Sequence, residues 1–141
     1  MFKIVKNRTS WRTVNFTMAN EDGFGVSQCS IDIKFRLISA DELAALPAKV
    51  TDVIAESDSN SMAIARTLDQ IIADWRGPVG DDDKPMAYSV DALAVVINHV
   101  DVFASAARDE YHRARMGEAQ VRLGNFNESP DGGPPQAQVL Q

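Results

Sequence analysis

Cysteine is nearly absent from this sequence, and aromatic residues and long apolar runs are scarce as well. Cys29 is the only cysteine, which excludes an internal disulfide and a cysteine-rich zinc site. Aromatic residues make up 7% of the 141 residues, so we expect a mainly aliphatic core. The longest apolar run, residues 92–97, is far shorter than the roughly 20 residues that span a bilayer. We therefore expect no membrane association.

Basic residues are also fewer than acidic ones. The chain has 14 Lys and Arg against 20 Asp and Glu, which gives a net charge of -6. Because an acidic chain repels phosphate backbones, we expect no nucleic-acid binding. The first residues lack the apolar stretch of a signal peptide, which predicts a protein that stays in a reducing cytoplasm.

Three segments of the chain differ in charge and pattern. Residues 1–38 carry a net charge of +3 and alternate between polar and apolar side chains. Residues 39–124 carry a net charge of -7 and have helical spacing, and we expect them to form one compact domain with residues 1–38. Residues 125–141 contain too few apolar side chains to offset the entropy of ordering, which predicts a disordered tail.

A β-hairpin is predicted in the first segment, over about residues 10–38. Apolar residues alternate strictly over residues 29–37 and more weakly over residues 14–18, so each strand has one apolar face. Residues 20–25 contain Asp-Gly and a second glycine, which supply the positive φ of a turn. Because two strands alone are marginal in water, the apolar face must be covered. The candidates for a short third strand are Phe2, Ile4 and Val5.

The second segment begins with a predicted helix whose start has a clear capping signal. Ser39 and Glu42 have the spacing of a capping box, in which each side chain satisfies a backbone donor of the other residue. Pro47 interrupts the apolar pattern that follows. Either the helix kinks at this proline, or a short turn precedes a helix that starts there.

Three more helices are predicted after the polar residues 57–61. One is expected to run to Gly77, with its inner face formed by Ala65, Leu68, Ile72 and Trp75. The other two begin near Ser89 and Asp101. The predicted fold class is therefore α+β, with an N-terminal antiparallel hairpin of two or three strands, a bundle of about four helices, and the disordered tail.

Residues that catalysis or metal binding needs do not occur at useful spacings. His99 and His112 are too far apart for a helical metal pair. The Asp81–Asp83 run lacks the alternation of a calcium loop, and Lys84 and Pro85 follow it. Cys29 belongs to the apolar face of a strand, where burial makes a thiol inert. We therefore predict no enzymatic activity, no cofactor and no metal.

One stretch of the chain resembles a known family. Residues 71–93 combine a Trp-x-Gly-Pro sequence at Trp75, an acidic turn, a proline, an aromatic followed by serine at Tyr88, and an apolar helix. This order is similar to that of the small tail assembly chaperones of long-tailed bacteriophages and prophages. The resemblance extends in order over about residues 10–124, and its most specific part is residues 71–93.

The resemblance implies a non-enzymatic function. Such chaperones bind the long helical tape measure protein before the tail tube forms around it, and they help to recruit tail tube protein. They act in the host cytoplasm and are absent from the mature virion. A client-binding protein needs apolar surface, and the candidate contacts, which are equally candidates for the core, are Trp75, Leu93, Val96, Phe103 and Tyr111. The hairpin edge leaves self-association open.

Three other functions remain open from the sequence. The first is a structural virion component of the tail or the head-tail connection, which would join a neighbour's sheet through its hairpin. The second is a small hydrolase built from the Asp81–Asp83 loop and His99, which would require tight binding of a divalent metal. The third is an adaptor or antitoxin of the bacterial host, which would be encoded beside a toxin.

Overall fold

The computed structural model describes residues 4–117, which form a three-stranded antiparallel sheet and four helices. The chain divides after Glu110 into two units, and residues 111–117 are the described part of the second unit. The elements in chain order are β1 (Thr9–Ala19), β2 (Val26–Arg36), α1 (Ala40–Val53), α2 (Asn60–Asp69), β3 (Ile72–Arg76), α3 (Val90–His99) and α4 (Phe103–Met116). This architecture confirms the α+β class. The predicted tail, residues 125–141, lies outside the described residues.

The predicted hairpin is present as β1 and β2. The two strands pair over eleven residues without a register shift, with Val14 opposite Ile31. The turn between them closes with a hydrogen bond from the Asn20 amide to the Gly25 carbonyl at 3.2 Å. Gly23 and Gly25 have φ values of 82° and 73°, which side chains with a Cβ rarely adopt. The two glycines therefore supply the positive φ values that the sequence predicts for this turn.

The third strand is β3, and its location corrects two predictions. Ile4 and Val5 are not in a strand, and Phe2 lies outside the described residues. The helix that was expected to continue to Gly77 ends at Asp69, and the chain then pairs with β2 as an extended strand. The sheet order is β1-β2-β3, so β2 is the central strand.

Cross-strand partners explain why residues 72–76 form a strand. Ile72 and Trp75 continue the spacing of the preceding helix, but they lie opposite Phe35 and Ile33 of β2 on the face that becomes buried. Gly77 then ends the strand with a φ of 121°, close to the backbone of β2. Long-range pairing has thus overridden a local helical pattern.

Three of the helices, α1, α2 and α3, begin at serine caps, and α4 begins at Phe103, two residues after the predicted start near Asp101. At the start of α1, the Glu42 amide donates to the Ser39 hydroxyl and the Ser39 amide donates to the Glu42 carboxylate, both at 3.1 Å. The hydroxyls of Ser59 and Ser89 accept from the amides of Met62 and Ala92 and so cap α2 and α3, without a reciprocal bond. α1 runs through Pro47, so this proline lies inside the helix and does not start it.

The core lies between one face of the sheet and the helices. Val14, Phe16, Ile31, Ile33, Phe35, Ile72 and Trp75 form the sheet side of it. Leu68 of α2, Leu93 of α3 and Phe103 of α4 are buried on the helical side. The Phe103 ring meets the Phe16 ring edge to face, with centroids 5.7 Å apart. This pair joins the hairpin to the start of α4.

We predict that Phe103→Ala lowers the free energy of unfolding by about 3–5 kcal/mol, because it removes a fully buried ring. Chemical denaturation of the full chain, followed by circular dichroism, measures this loss. Val102→Ala is the matched control, since Val102 is 47% exposed and its truncation should cost well under about 1 kcal/mol. Equal effects of the two variants would contradict the placement of Phe103 in the core.

Candidate partner-binding surfaces

The five residues predicted to contact a partner are mostly inside the protein. Trp75, Leu93, Phe103 and Tyr111 are buried, with at most 4% of each exposed, and Val96 is half-buried. A buried side chain cannot touch a second protein unless the fold opens. A partner surface must therefore be sought among other residues, with Val96 the one predicted contact that solvent reaches.

Trp75 stabilises the loop that follows β3. Its indole N–H donates to the carbonyl of Met86 at 2.8 Å. Its ring packs edge to face against the ring of Tyr88, with centroids 5.2 Å apart. The Trp and the aromatic-Ser pair, which carry much of the sequence resemblance, thus hold the chain between β3 and α3 against the sheet.

A hydrogen bond from Tyr88 connects the same loop to the end of α2. Its hydroxyl donates to the Asp69 carboxylate at 2.5 Å, and the Arg36 guanidinium donates to the Asp69 backbone carbonyl at 2.9 Å. Burial, and then the hydrogen bond to Asp69, raises the pKa of Tyr88 well above its usual value. The hydroxyl is therefore a fixed donor and not a group poised to exchange protons near neutral pH.

The acidic turn at residues 80–84 uses its polar groups within the loop. The Gly80 amide donates to the Lys84 carbonyl at 3.0 Å, and the Lys84 amide donates to the Asp82 carboxylate at 3.1 Å. Across residues 4–117, no group of three or more His, Cys, Asp or Glu side chains is arranged to hold a metal ion. The geometry therefore adds nothing to the hydrolase interpretation.

α1 is a helix that the fold covers only in part. It has 14 residues, all of them described, and none of these is buried. Its apolar stripe consists of Leu43, Leu46, Val50 and Val53 and continues into the C-cap residue Ile54. Val53 is 39% exposed, and the other four residues are half-buried. A helix of a globular domain ordinarily buries such a stripe against its own core. Here the stripe stays partly exposed, so a second protein can contact that exposed part.

A groove of about 420 Å³ lies beside α1, at the end of the hairpin farthest from its turn. Its lining consists of Asn7, Arg8, Thr9, Arg36, Leu37, Ile38, Glu42, Lys49 and Gln70. Three of these residues are basic and one is acidic, although the chain as a whole is acidic. The hydrogen bond from the Ser39 amide lowers the pKa of Glu42, so that carboxylate stays charged. The groove therefore combines apolar side chains with locally positive charge.

The hairpin turn presents a second exposed apolar group. Phe24 is 80% exposed, yet its backbone is held in place. Its amide donates to the Asp22 carboxylate at 2.9 Å, and its carbonyl accepts from the Asn20 side-chain amide at 2.7 Å. The Ser27 hydroxyl in turn bonds to the side-chain oxygen of Asn20. An aromatic ring displayed on an ordered turn is well suited to insert into a neighbouring surface.

Comparison with protein-family models, curated proteins and solved structures found no match to this chain in any of the three. Among the described residues, no single helix is long and apolar enough to cross a membrane, and only α3 and α4 taken together, across a sharp bend, pass that test. The candidate surfaces therefore rest on the geometry of this chain alone.

The sequence indicated the stripe of α1 but not its exposure. Its three-and-four spacing predicts an apolar face, and the spacing alone does not say whether the core or a partner covers that face. The one local feature that sets α1 apart from the other helices is the proline at position 47. Phe24 was noted as part of a turn and was not considered as a contact.

The pKa of Tyr88 predicts how stability changes at high pH. In the unfolded chain the hydroxyl ionises near its usual value of 10.0, whereas in the folded chain it stays protonated to higher pH. Stability from this group is thus present below pH 10 and is lost as the pH rises beyond it. We expect the wild-type protein to lose stability more steeply above that pH than Tyr88→Phe, as measured by urea denaturation at a series of pH values. Parallel curves would contradict the partly buried hydrogen bond between Tyr88 and Asp69.

Proposed function

We propose that this protein is a tail assembly chaperone of a long-tailed bacteriophage or prophage, a non-enzymatic protein that binds the tape measure protein. The observation that carries the proposal is the apolar stripe of α1, none of whose residues the fold buries fully. The resemblance over residues 71–93 supplies the identity of the client. The two are independent, because α1 lies outside the most specific part of the resemblance.

The stripe of α1 has the form that a helical client requires. Apolar residues spaced by three and four along a helix can pack against the equivalent stripe of another helix. Leu46 and Val50 lie near the middle of the stripe and are half-buried, so covering the rest of each side chain contributes only a part of the roughly 1.5–3 kcal/mol of complete burial. Repeated along a long client, many such contacts would cover the apolar surface that otherwise aggregates.

Charge supports the same function in two ways. The basic residues of the groove beside α1, Arg8, Arg36 and Lys49, favour acidic side chains flanking the client's apolar stripe. The net charge of -6 of the whole chain keeps a covered client soluble through mutual repulsion of the complexes. In this proposal the protein acts in the host cytoplasm, helps to recruit tail tube protein, and leaves before the virion is complete.

A second candidate function has its own observation. The exposed Phe24 on an ordered turn favours a structural virion component that inserts its hairpin into a neighbouring subunit. Mass spectrometry of purified particles distinguishes the two functions. A virion component is present in particles at a fixed copy number, whereas a chaperone is found only in the lysate.

The chaperone proposal predicts that Leu46→Glu reduces recovery of the co-expressed tape measure protein about tenfold or more, because it buries a charge in the contact. Leu46 is half-buried, so the fold itself should lose less than about 2 kcal/mol. The measurement is co-expression with the full-length tape measure protein, followed by affinity purification and quantification of the client.

Ala48→Glu is the matched control, because Ala48 is exposed on the opposite side of α1 and receives the same charge. It should bind the client as the wild type does. Loss of binding in both variants would show that helix charge, and not the stripe, is responsible. Wild-type protein that is folded and abundant yet never recovers the client would contradict the proposed function.

A further inference from the structure

The outer edge of β1 is long, and the inward-pointing Arg12 is its one feature of the kind that protects an edge strand. The structure describes no strand paired with this edge, although β1 is eleven residues long. It contains no proline and no glycine, and it pairs with β2 without a bulge. Natural proteins protect edges with short strands, charges, prolines or bulges, because an unprotected edge pairs with other chains.

The other edge of the same sheet is protected. β3 has only five residues, two of which, Asp74 and Arg76, are charged and exposed. Gly77 and Pro78 follow it directly and end the strand. The β3 edge of the sheet is therefore protected from pairing, whereas the β1 edge can pair with another strand. That asymmetry indicates that the β1 edge is covered in the functional protein.

The register identifies which backbone groups point outward from β1. Asn20 bonds to Gly25 and Leu37 bonds to Arg8, so the even-numbered residues of β1 exchange hydrogen bonds with β2. The N–H and C=O groups of the odd-numbered residues therefore point away from the sheet. The odd-numbered residues of β1 are Thr9, Trp11, Thr13, Asn15, Thr17 and Ala19. None of these side chains is charged.

We propose that the β1 edge pairs with the β1 edge of a second copy of this chain, forming a two-fold symmetric dimer with a continuous six-stranded sheet. Antiparallel pairing centred on Val14 uses all eleven residues. It places Trp11 opposite Thr17 of the second copy and Thr13 opposite Asn15 of the second copy. No charge meets a like charge in this register, although two acidic proteins approach each other.

Side chains beside the edge are already ordered for this contact. Trp11 is 39% exposed, and the Arg76 guanidinium lies over its ring at 3.8 Å from the centroid. The Thr13 hydroxyl donates to the Asp32 carboxylate at 2.8 Å. Arg12, the one charged residue of β1, turns to the inner face and pairs with Glu110 at 2.8 Å. Pairing thus needs little further ordering, which favours association. The dimer does not depend on which client α1 binds.

The test is sedimentation velocity of the full chain over a wide concentration range. The wild-type protein should reach the mass of a dimer. Asn15→Lys should weaken the dimer about fivefold to tenfold, because the two lysines lie diagonally across the new ladder. Asn15→Pro, which removes an outward N–H and leaves the β1–β2 ladder intact, should weaken it about tenfold to a hundredfold.

Gln28→Lys is the matched control. Gln28 is exposed on β2, on the same face of the hairpin, and the substitution changes the net charge by the same amount. It should leave the dimer intact. A dimer that tolerates both Asn15 variants, or a wild-type protein that stays monomeric at every concentration, would overturn the proposal.

Hydrogen exchange distinguishes a β1 edge that pairs with a second copy from one that the same chain protects. The amides of Trp11, Thr13, Asn15 and Thr17 should become protected only as the dimer forms, whereas those of the even-numbered residues are protected at every concentration. Protection of the odd-numbered amides in a monomer would mean that the chain covers its own edge, which would also overturn the proposal.

Discussion

Burial of the inner face of β2 is the constraint on which the rest of the structure depends. β2 is the central strand, and its side chains Ile31, Ile33 and Phe35 are almost fully buried. Two strands cannot bury that face, so α2, α3 and the start of α4 cover it, and β3 pairs along its second edge. Trp75 lies opposite Ile33 and holds the loop after β3 through its indole N–H. The most specific part of the sequence resemblance is therefore also a requirement of the core.

Local patterns predicted the hairpin and the helix starts because each depends on residues close in the chain. Alternation marks β1 and β2, glycines mark their turn, and serines mark the caps of α1, α2 and α3. β3 was missed because Ile72 and Trp75 keep the spacing of the helix before them. Their partners on β2 lie far earlier in the chain, and only the folded structure brings them together.

The partner surface was harder to predict, because apolar spacing is the same for a core face and a binding face. Trp75, Leu93 and Phe103 have that spacing and are buried, whereas Leu46 and Val50 have it and are not. What separates the two groups is how far the fold covers each helix: no residue of α1 is fully buried, so its stripe remains partly accessible. The β1 edge is a second accessible surface on a different element. The proposed account assigns α1 to the client and β1 to a second copy.

The client-binding role of α1 is the central claim of this account, and hydrogen exchange of the full chain, alone and with the tape measure protein, tests it most directly. We predict that amides of Ala40–Val53 exchange readily in the free protein, because no side chain of α1 is buried, and become strongly protected in the complex. Amides of α3, which is held by buried Leu93, should change little. A complex that leaves the exchange of α1 unchanged would contradict the claim.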